Sequence, residues 1–307
     1  MRSYFEFMSH EEVLIRGQHW HTPDTEPKAV VVIAHGMAEH ILRYDTFAEF
    51  LLANQIFVYG HSHRGHGETV TSLDALGYIG TDGWNRMADD LETVLQIARK
   101  AYPNKPLIIF GHSMGSYVTR GWMTRSFATV DGVILSGTGF PSKVELEGGQ
   151  LIAKLELLFK GKDVPSKRLD KLSFGKFNKG VQNPKTPFDW LSRDEVMVKE
   201  YIDSPFCGQI HPSSFFRDMS AGLISTLYST HHTFNPVYPL YIISGEADPV
   251  GGYVKGVMKT ASYYKTAGFK VTTKLFPEGR HEMLNEINRQ DVYQSILKWI
   301  NEVVKKG

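Results

Sequence analysis

The sequence predicts an α/β protein: a mostly parallel central sheet flanked by helices, with an inserted, mainly helical cap. Short β-branched or aliphatic runs alternate with longer stretches of helical periodicity, the pattern of parallel strands covered by helices. That alternation breaks from about residue 140 to 212 and then resumes, and a break of this length is better read as an insertion than as a loop. A chain of 307 residues that is 42% hydrophobic suffices for one large core carrying an insertion.

In order, "SYFEFMS" and "EEVLIRGQHW" read as a starting hairpin, and "AVVVIAHG" is too continuously apolar for anything but a central strand. A helix in "YDTFAEFLLANQ" leads to the strand "IFVYG", which runs into "GHSHRGHGET". In 81–103, Trp84, Met87, Ala88, Leu91, Val94, Leu95 and Ala98 recur at helical spacing, with Pro103 beyond the end. "PLIIFGHSMGSYVTRGWMTRSF" reads strand, tight turn, helix, and "VDGVILSG" adds a strand. After the irregular stretch come the helix "SFFRDMSAGLISTLYSTH", the strand "PLYIISG", the helix "YVKGVMKTASYYKTAG", the strand "KVTTKLF" and a closing helix in "VYQSILKWINEVV". The expected division is a core of 1–139 and 213–307 with a cap at 140–212.

A formal charge of +1 with mixed signs argues against a nucleic-acid partner. The single cysteine, Cys207, excludes an internal disulfide and reads as a small half-buried residue. The charged N-terminus is unlike a signal peptide and no apolar run is long enough for a bilayer, so a cytoplasmic protein is expected. Its oligomeric state stays open.

Gly111-His112-Ser113-Met114-Gly115 is a G-x-S-x-G between a strand and a helix, the context of a nucleophile held in a tight turn above a sheet edge. A serine needs a base and an acid to orient it. Asp248 follows one later strand and His281 the next, in the order Ser, Asp, His; Glu246, Asp218, His231 and His232 are weaker competitors by position. The oxyanion donors expected are the Met114 N–H and, after the bend at His35 and Gly36, the Met37 N–H.

His61, His63 and His66 have a spacing that some zinc hydrolases use, but Gly65 stands where those enzymes commonly carry Asp, and no further ligands at suitable spacing are evident. No metal site and no cofactor are expected.

The blocks "HGMAEHILRY", "HRGHGET", "GHSMGS", "SGEADPVGG" and "GRHEMLNE" resemble the α/β-hydrolase family of monoacylglycerol lipases and bacterial lysophospholipase-like hydrolases, from near residue 30 to near 290. The resemblance implies the α/β-hydrolase fold, a serine esterase with a mobile cap, and motif positions at Ser113, Asp248, His281, Met37 and Met114. It also puts "HRGHG" at the family's own H-x-G-H-G loop, with Ser62 where the family often has Asp.

Within the insertion, Leu151, Ile152, Leu155, Leu158 and Phe159 form one helical stripe. With His112, the residues Leu151, Leu155, Leu158 and Phe159 are the candidate substrate-binding set; the same stripe is the candidate for transient contact with a membrane or micelle. "KRLDKLSFGKFNKG" reads as a solvated surface with an anionic head group as the alternative, and Asp189 and Trp190 read as structural. The expected activity is hydrolysis of a small-molecule acyl ester or lipid, monoacylglycerol first and lysophospholipid second. Small soluble esters or amides, or a non-catalytic binding role on the same fold, are the alternatives.

Overall fold

The computed structural model describes residues 1–125, 130–229, 234 and 236–305. Among the described residues eight strands form one sheet in the order β1-β2-β4-β3-β5-β6-β7-β8. They are β1 (Arg2–Met8), β2 (Leu14–Trp20), β3 (Ala29–Ala34), β4 (Ile56–His61), β5 (Leu107–His112), β6 (Gly132–Ser136), β7 (Leu240–Gly245) and β8 (Val271–Phe276). The opening hairpin β1–β2 joins β4 antiparallel, and every pairing from β4 to β8 is parallel.

The central strands are buried on both faces, which is why they read as unbroken apolar runs. Along β3, Val30, Val32 and Ala34 enter one core while Val31 and Ile33 enter the other. Helices α1 (Asp45–Ala53) and α9 (Arg289–Val304) cover one face. The other is covered by α2 (Gly83–Ala101), α3 (Met114–Met123), α7 (Ser213–Tyr228) and α8 (Lys255–Thr266). Between β6 and α7 lie α4 (Lys143–Leu157), α5 (Lys167–Phe174) and α6 (Glu195–Asp203). Helix α4 opens with a capping box between Ser142 and Glu145 and packs lengthwise on α7. Among the described residues no helix is long and apolar enough to cross a membrane.

The expected apolar stripe of α4 faces the other way. Leu151, Leu155, Leu158 and Phe159 are 59%, 51%, 72% and 88% exposed, and none of them lines the cavity above Ser113. The inward side of α4 is Leu146, Gly149, Ala153 and the half-buried Ile152. On this side α4 packs along α7, where a Cβ on Gly149 would make ordinary contact with Ser220 Oγ at 3.6 Å.

Candidate active site

The site lies at the C-terminal ends of the parallel strands. Ser113 sits between β5 and α3 with φ 50° and ψ −119°, a conformation unfavourable for a side-chain-bearing residue. The turn is possible because its flanks carry no Cβ: one on Gly115 would stand 2.0 Å from Ala34 O, and one on Gly111 2.7 Å from Gly115 O. Its hydroxyl therefore stands above the sheet at the start of α3.

Asp248 follows β7 and His281 follows β8. The His281 Nδ1–H donates to Asp248 Oδ1 over 3.0 Å, and its Nε2 accepts from Ser113 Oγ at 2.8 Å. Asp248, fully buried, also accepts from Val250 N–H (2.9 Å) and Ser244 Oγ (3.2 Å). Burial disfavours its charge, but His281 and the Val250 N–H outweigh that and hold the carboxyl below its usual range. Burial likewise opposes a charged His281, yet Asp248 prevails and raises the imidazole above its ordinary value. Of the competitors, Glu246 is exposed and Asp218 pairs with Arg217 on α7; His231 and His232 lie outside the described residues.

Met37 and Met114 line the same cavity as Ser113. The loop bearing Met37 is fixed by Glu39, whose Oε1 accepts from Gly36 N–H (2.5 Å) and Tyr44 OH (2.8 Å). Arg43 donates to Glu39 Oε2 (2.7 Å) and to both Glu282 oxygens (2.6 and 2.7 Å), joining this loop to the residue after His281.

The histidine-rich loop supports that arrangement from below. His35 Nδ1–H donates to Gly36 O (2.7 Å) while its Nε2 accepts from His63 N–H (2.9 Å). His66 lies 3.2 Å from His211, Nε2 to Nε2. Among the described residues no group of three or more His, Cys, Asp or Glu is placed to hold a metal ion.

Above Ser113 is a cavity of about 440 Å³. His112 lines it, as do apolar residues absent from the expected set: Trp84, Leu146, Phe174, Phe177, Trp190 and Leu223. Trp190, expected as purely structural, has its ring 5.1 Å from that of His281. Asp189 accepts from the Lys185 and Thr186 N–H groups, closing a turn. Phe174 ends the short helix α5, while Phe177 and Trp190 sit in irregular sequence with no helical period to mark them. Cys207 is half-buried, and burial pushes its thiol up to about 11.

Segment 189–193 is bound to the loop carrying His281. Trp190 O and Leu191 O accept from His281 N–H (3.4 Å) and Glu282 N–H (2.7 Å), and Arg280 donates to Asp189 O (2.7 Å) and Ser192 O (2.9 Å). Buried Glu286 accepts from Arg193 Nε and Arg280 N–H, both at 2.9 Å.

A hydroxyl, an imidazole acceptor and a buried carboxylate joined by hydrogen bonds beneath a mainly apolar cavity form a set able to carry out acyl transfer. The family model described as serine aminopeptidase, S33, matches residues 25–288. The monoacylglycerol lipase of Mycolicibacterium smegmatis is 28% identical over 285 residues, covering 91% of this chain and 90% of that protein. The human monoglyceride lipase is 25% identical over 275 residues, 87% of this chain and 83% of its own length. Among solved structures, a highly thermostable carboxyl esterase from Bacillus coagulans in complex with glycerol superposes with a TM-score of 0.87 at 28% identity, covering 99% of both chains.

Proposed function

Since the chain belongs to the serine aminopeptidase S33 family of α/β-hydrolases and is a serine hydrolase, we propose that it cleaves acyl esters of glycerol-type lipids through an acyl-enzyme on Ser113. Monoacylglycerol is the first substrate class and lysophospholipid the second. The observation that carries the reading is the unbroken hydrogen-bond chain Asp248–His281–Ser113 beneath a mainly apolar cavity.

In this mechanism Ser113 Oγ attacks the acyl carbonyl as His281 Nε2 takes its proton, and Asp248 holds the resulting imidazolium. The carbonyl electron pair moves onto the oxygen, which the Met37 and Met114 N–H groups hold. Collapse expels the alcohol, protonated by His281, and leaves the Ser113 ester. Water, deprotonated by His281, then releases the fatty acid and restores the serine. No cofactor takes part.

Residues 140–212 are proposed as a cap over a core made of 1–139 and 213–307, since Leu146, Phe174, Phe177 and Trp190 roof the cavity. The outward Leu151, Leu155, Leu158 and Phe159 form a surface suited to transient contact with a micelle or bilayer. A cytoplasmic location fits a sequence whose single cysteine forms no internal disulfide.

The test is hydrolysis of monoacylglycerols and p-nitrophenyl esters from acetyl to palmitoyl by wild type and Ser113→Ala. A medium-to-long-chain optimum abolished in Ser113→Ala is expected. A short-chain optimum would replace the lipid reading with a small-ester one, and undiminished turnover in Ser113→Ala would overturn the mechanism.

A further inference from the structure

One charged group of the cavity takes no part in the mechanism. Helix α5 (Lys167–Phe174) presents Asp170, Ser173 and Phe174 to the cavity, at positions three and four apart and so on one helical face. Its basic residues, Lys167, Arg168 and Lys171, are exposed and do not line the cavity. Asp170 is half-buried, so part of its surface stays open to a molecule bound there.

The Asp170 carboxylate has no hydrogen-bond or ion-pair partner among the described residues. Burial alone acts on it and raises its pKa above the ordinary value, with no neighbouring charge or donor to offset that. The other carboxylates of the cavity are engaged, Glu39 and Glu282 both being bound by Arg43. No Lys or Arg is found among the described residues that line the cavity. A helix-end role does not account for the acid. The Ser166 hydroxyl caps α5 by accepting from Leu169 N–H (3.2 Å), and the outward positions of the first turn carry Lys167 and Arg168, where acids would suit the dipole.

The wall beside Asp170 is aromatic. Phe174, one turn along α5, lies parallel to Trp190 with ring centroids 6.3 Å apart, and Phe177 meets Trp190 edge-on at 4.8 Å. Trp190 is in turn 5.1 Å from the His281 ring. One cavity therefore holds both the reacting groups and an unpaired carboxylate among aromatic rings. A carboxylate held half out of water without a partner is unfavourable, and a ligand completes it with a positive charge or with hydroxyl donors. The aromatic surroundings favour the first, because ring faces attract cations too.

We propose that Asp170 gives the cavity a preference for ester substrates carrying a cationic group, such as a quaternary ammonium, over neutral esters of the same shape. This rests on the ester-hydrolase reading above and narrows it. The cation has two sources, the leaving alcohol and the far end of the acyl chain.

The experiment measures kcat and KM of wild type, Asp170→Asn, Asp170→Glu and Asp163→Asn on two isosteric pairs of esters below their micelle-forming concentrations, with thermal unfolding in parallel. The first pair is decanoylcholine and 3,3-dimethylbutyl decanoate, which differ by a nitrogen in place of a carbon. The second is propyl 10-(trimethylammonio)decanoate and propyl 11,11-dimethyldodecanoate, with the same exchange at the acyl end. Asp170→Asn keeps the side-chain shape and removes the charge. In it, the charged-over-neutral ratio of kcat/KM is expected to fall about fivefold in one pair or both, with the neutral esters unaltered. Tm should stay at the wild-type value, because the carboxylate bonds to nothing in the protein; should Asp170→Asn not fold, Asp170→Ser takes its place in the same comparison. Asp170→Glu keeps the charge and should keep most of the preference. Asp163→Asn removes an equal charge from an exposed residue outside the cavity and should leave the ratio unchanged.

A fall confined to the first pair puts the cation in the leaving alcohol, and one confined to the second puts it in the acyl half; both support the assignment. An unchanged ratio in both pairs, equal losses on charged and neutral esters, or the same fall in Asp163→Asn would overturn it. Failure of wild type to cleave any of the four would instead overturn the ester-hydrolase reading, and this assignment with it.

Discussion

At the residue scale, the proposed chemistry depends on which protonation states the site favours. His281 must be neutral to take the Ser113 proton, and Asp248 raises its pKa above the ordinary value near 6.5. Activity therefore disappears as pH falls through a value above 6.5, so the acid limb of kcat/KM should lie above the usual histidine range. In Asp248→Asn that limb should move down, because burial of His281 is then opposed only by the weaker effects of Glu282 and Glu39, and kcat should fall by roughly 10⁴. Rates on p-nitrophenyl butyrate from pH 5 to 9 check both, and a wild-type limb below 6.5 would contradict the coupling. His112 does not blur the profile, since burial, its first cause, pushes it down to about 4. Ser113, Asp248 and His281 were legible in the sequence because each lies in a short loop just past a strand, where local motifs carry the signal. Asp170 was not: its distinction is a place in the cavity wall without a partner, which only the packing around it reveals.

At the scale of elements, strands and helices were legible for the same physical reason that they fold, a period of apolar residues matched to the geometry. Helix α4 was found, but its orientation was misread, because an apolar stripe normally marks the buried side. Here the face packed on α7 carries Leu146, Gly149, Ile152 and Ala153, leaving the larger stripe outward. If that outward stripe meets lipid surfaces, Leu155→Glu combined with Phe159→Glu should weaken co-sedimentation with phosphatidylcholine vesicles about tenfold or more. Hydrolysis of a dissolved p-nitrophenyl butyrate should be spared, since neither residue lines the cavity. Equal vesicle binding by wild type and double variant would remove this role from α4. The insertion is also not uniform: segment 189–193 is tied to the His281 loop by backbone and arginine bonds, whereas α4 is held by its packing on α7.

On the scale of the whole molecule, the histidines that first look like metal ligands bear on stability. His35, His61, His63, His66, His112 and His211 are all buried, and burial lowers the pKa of each. His61 and His66 are pushed down to about 4. In the unfolded chain each titrates near 6.5, so below that pH the unfolded state takes up protons that the folded state refuses. Each such histidine removes about 1.4 kcal/mol of stability per pH unit of further acidification, until its folded pKa is reached. His281 acts in the opposite sense, its raised pKa favouring the fold at low pH, but it is one group against these six and His19, His21 and His40, which burial also lowers. Tm should therefore be nearly level from pH 8 to 7 and drop steeply from 6.5 to 5, above the range where carboxylates titrate. His61→Gln isolates the cause: neither ring nitrogen of His61 has a protein partner, so the variant should reduce the slope by about 1.4 kcal/mol per pH unit. A Tm constant from pH 8 to 5, or an unaltered slope in His61→Gln, would show that the cluster does not control acid stability.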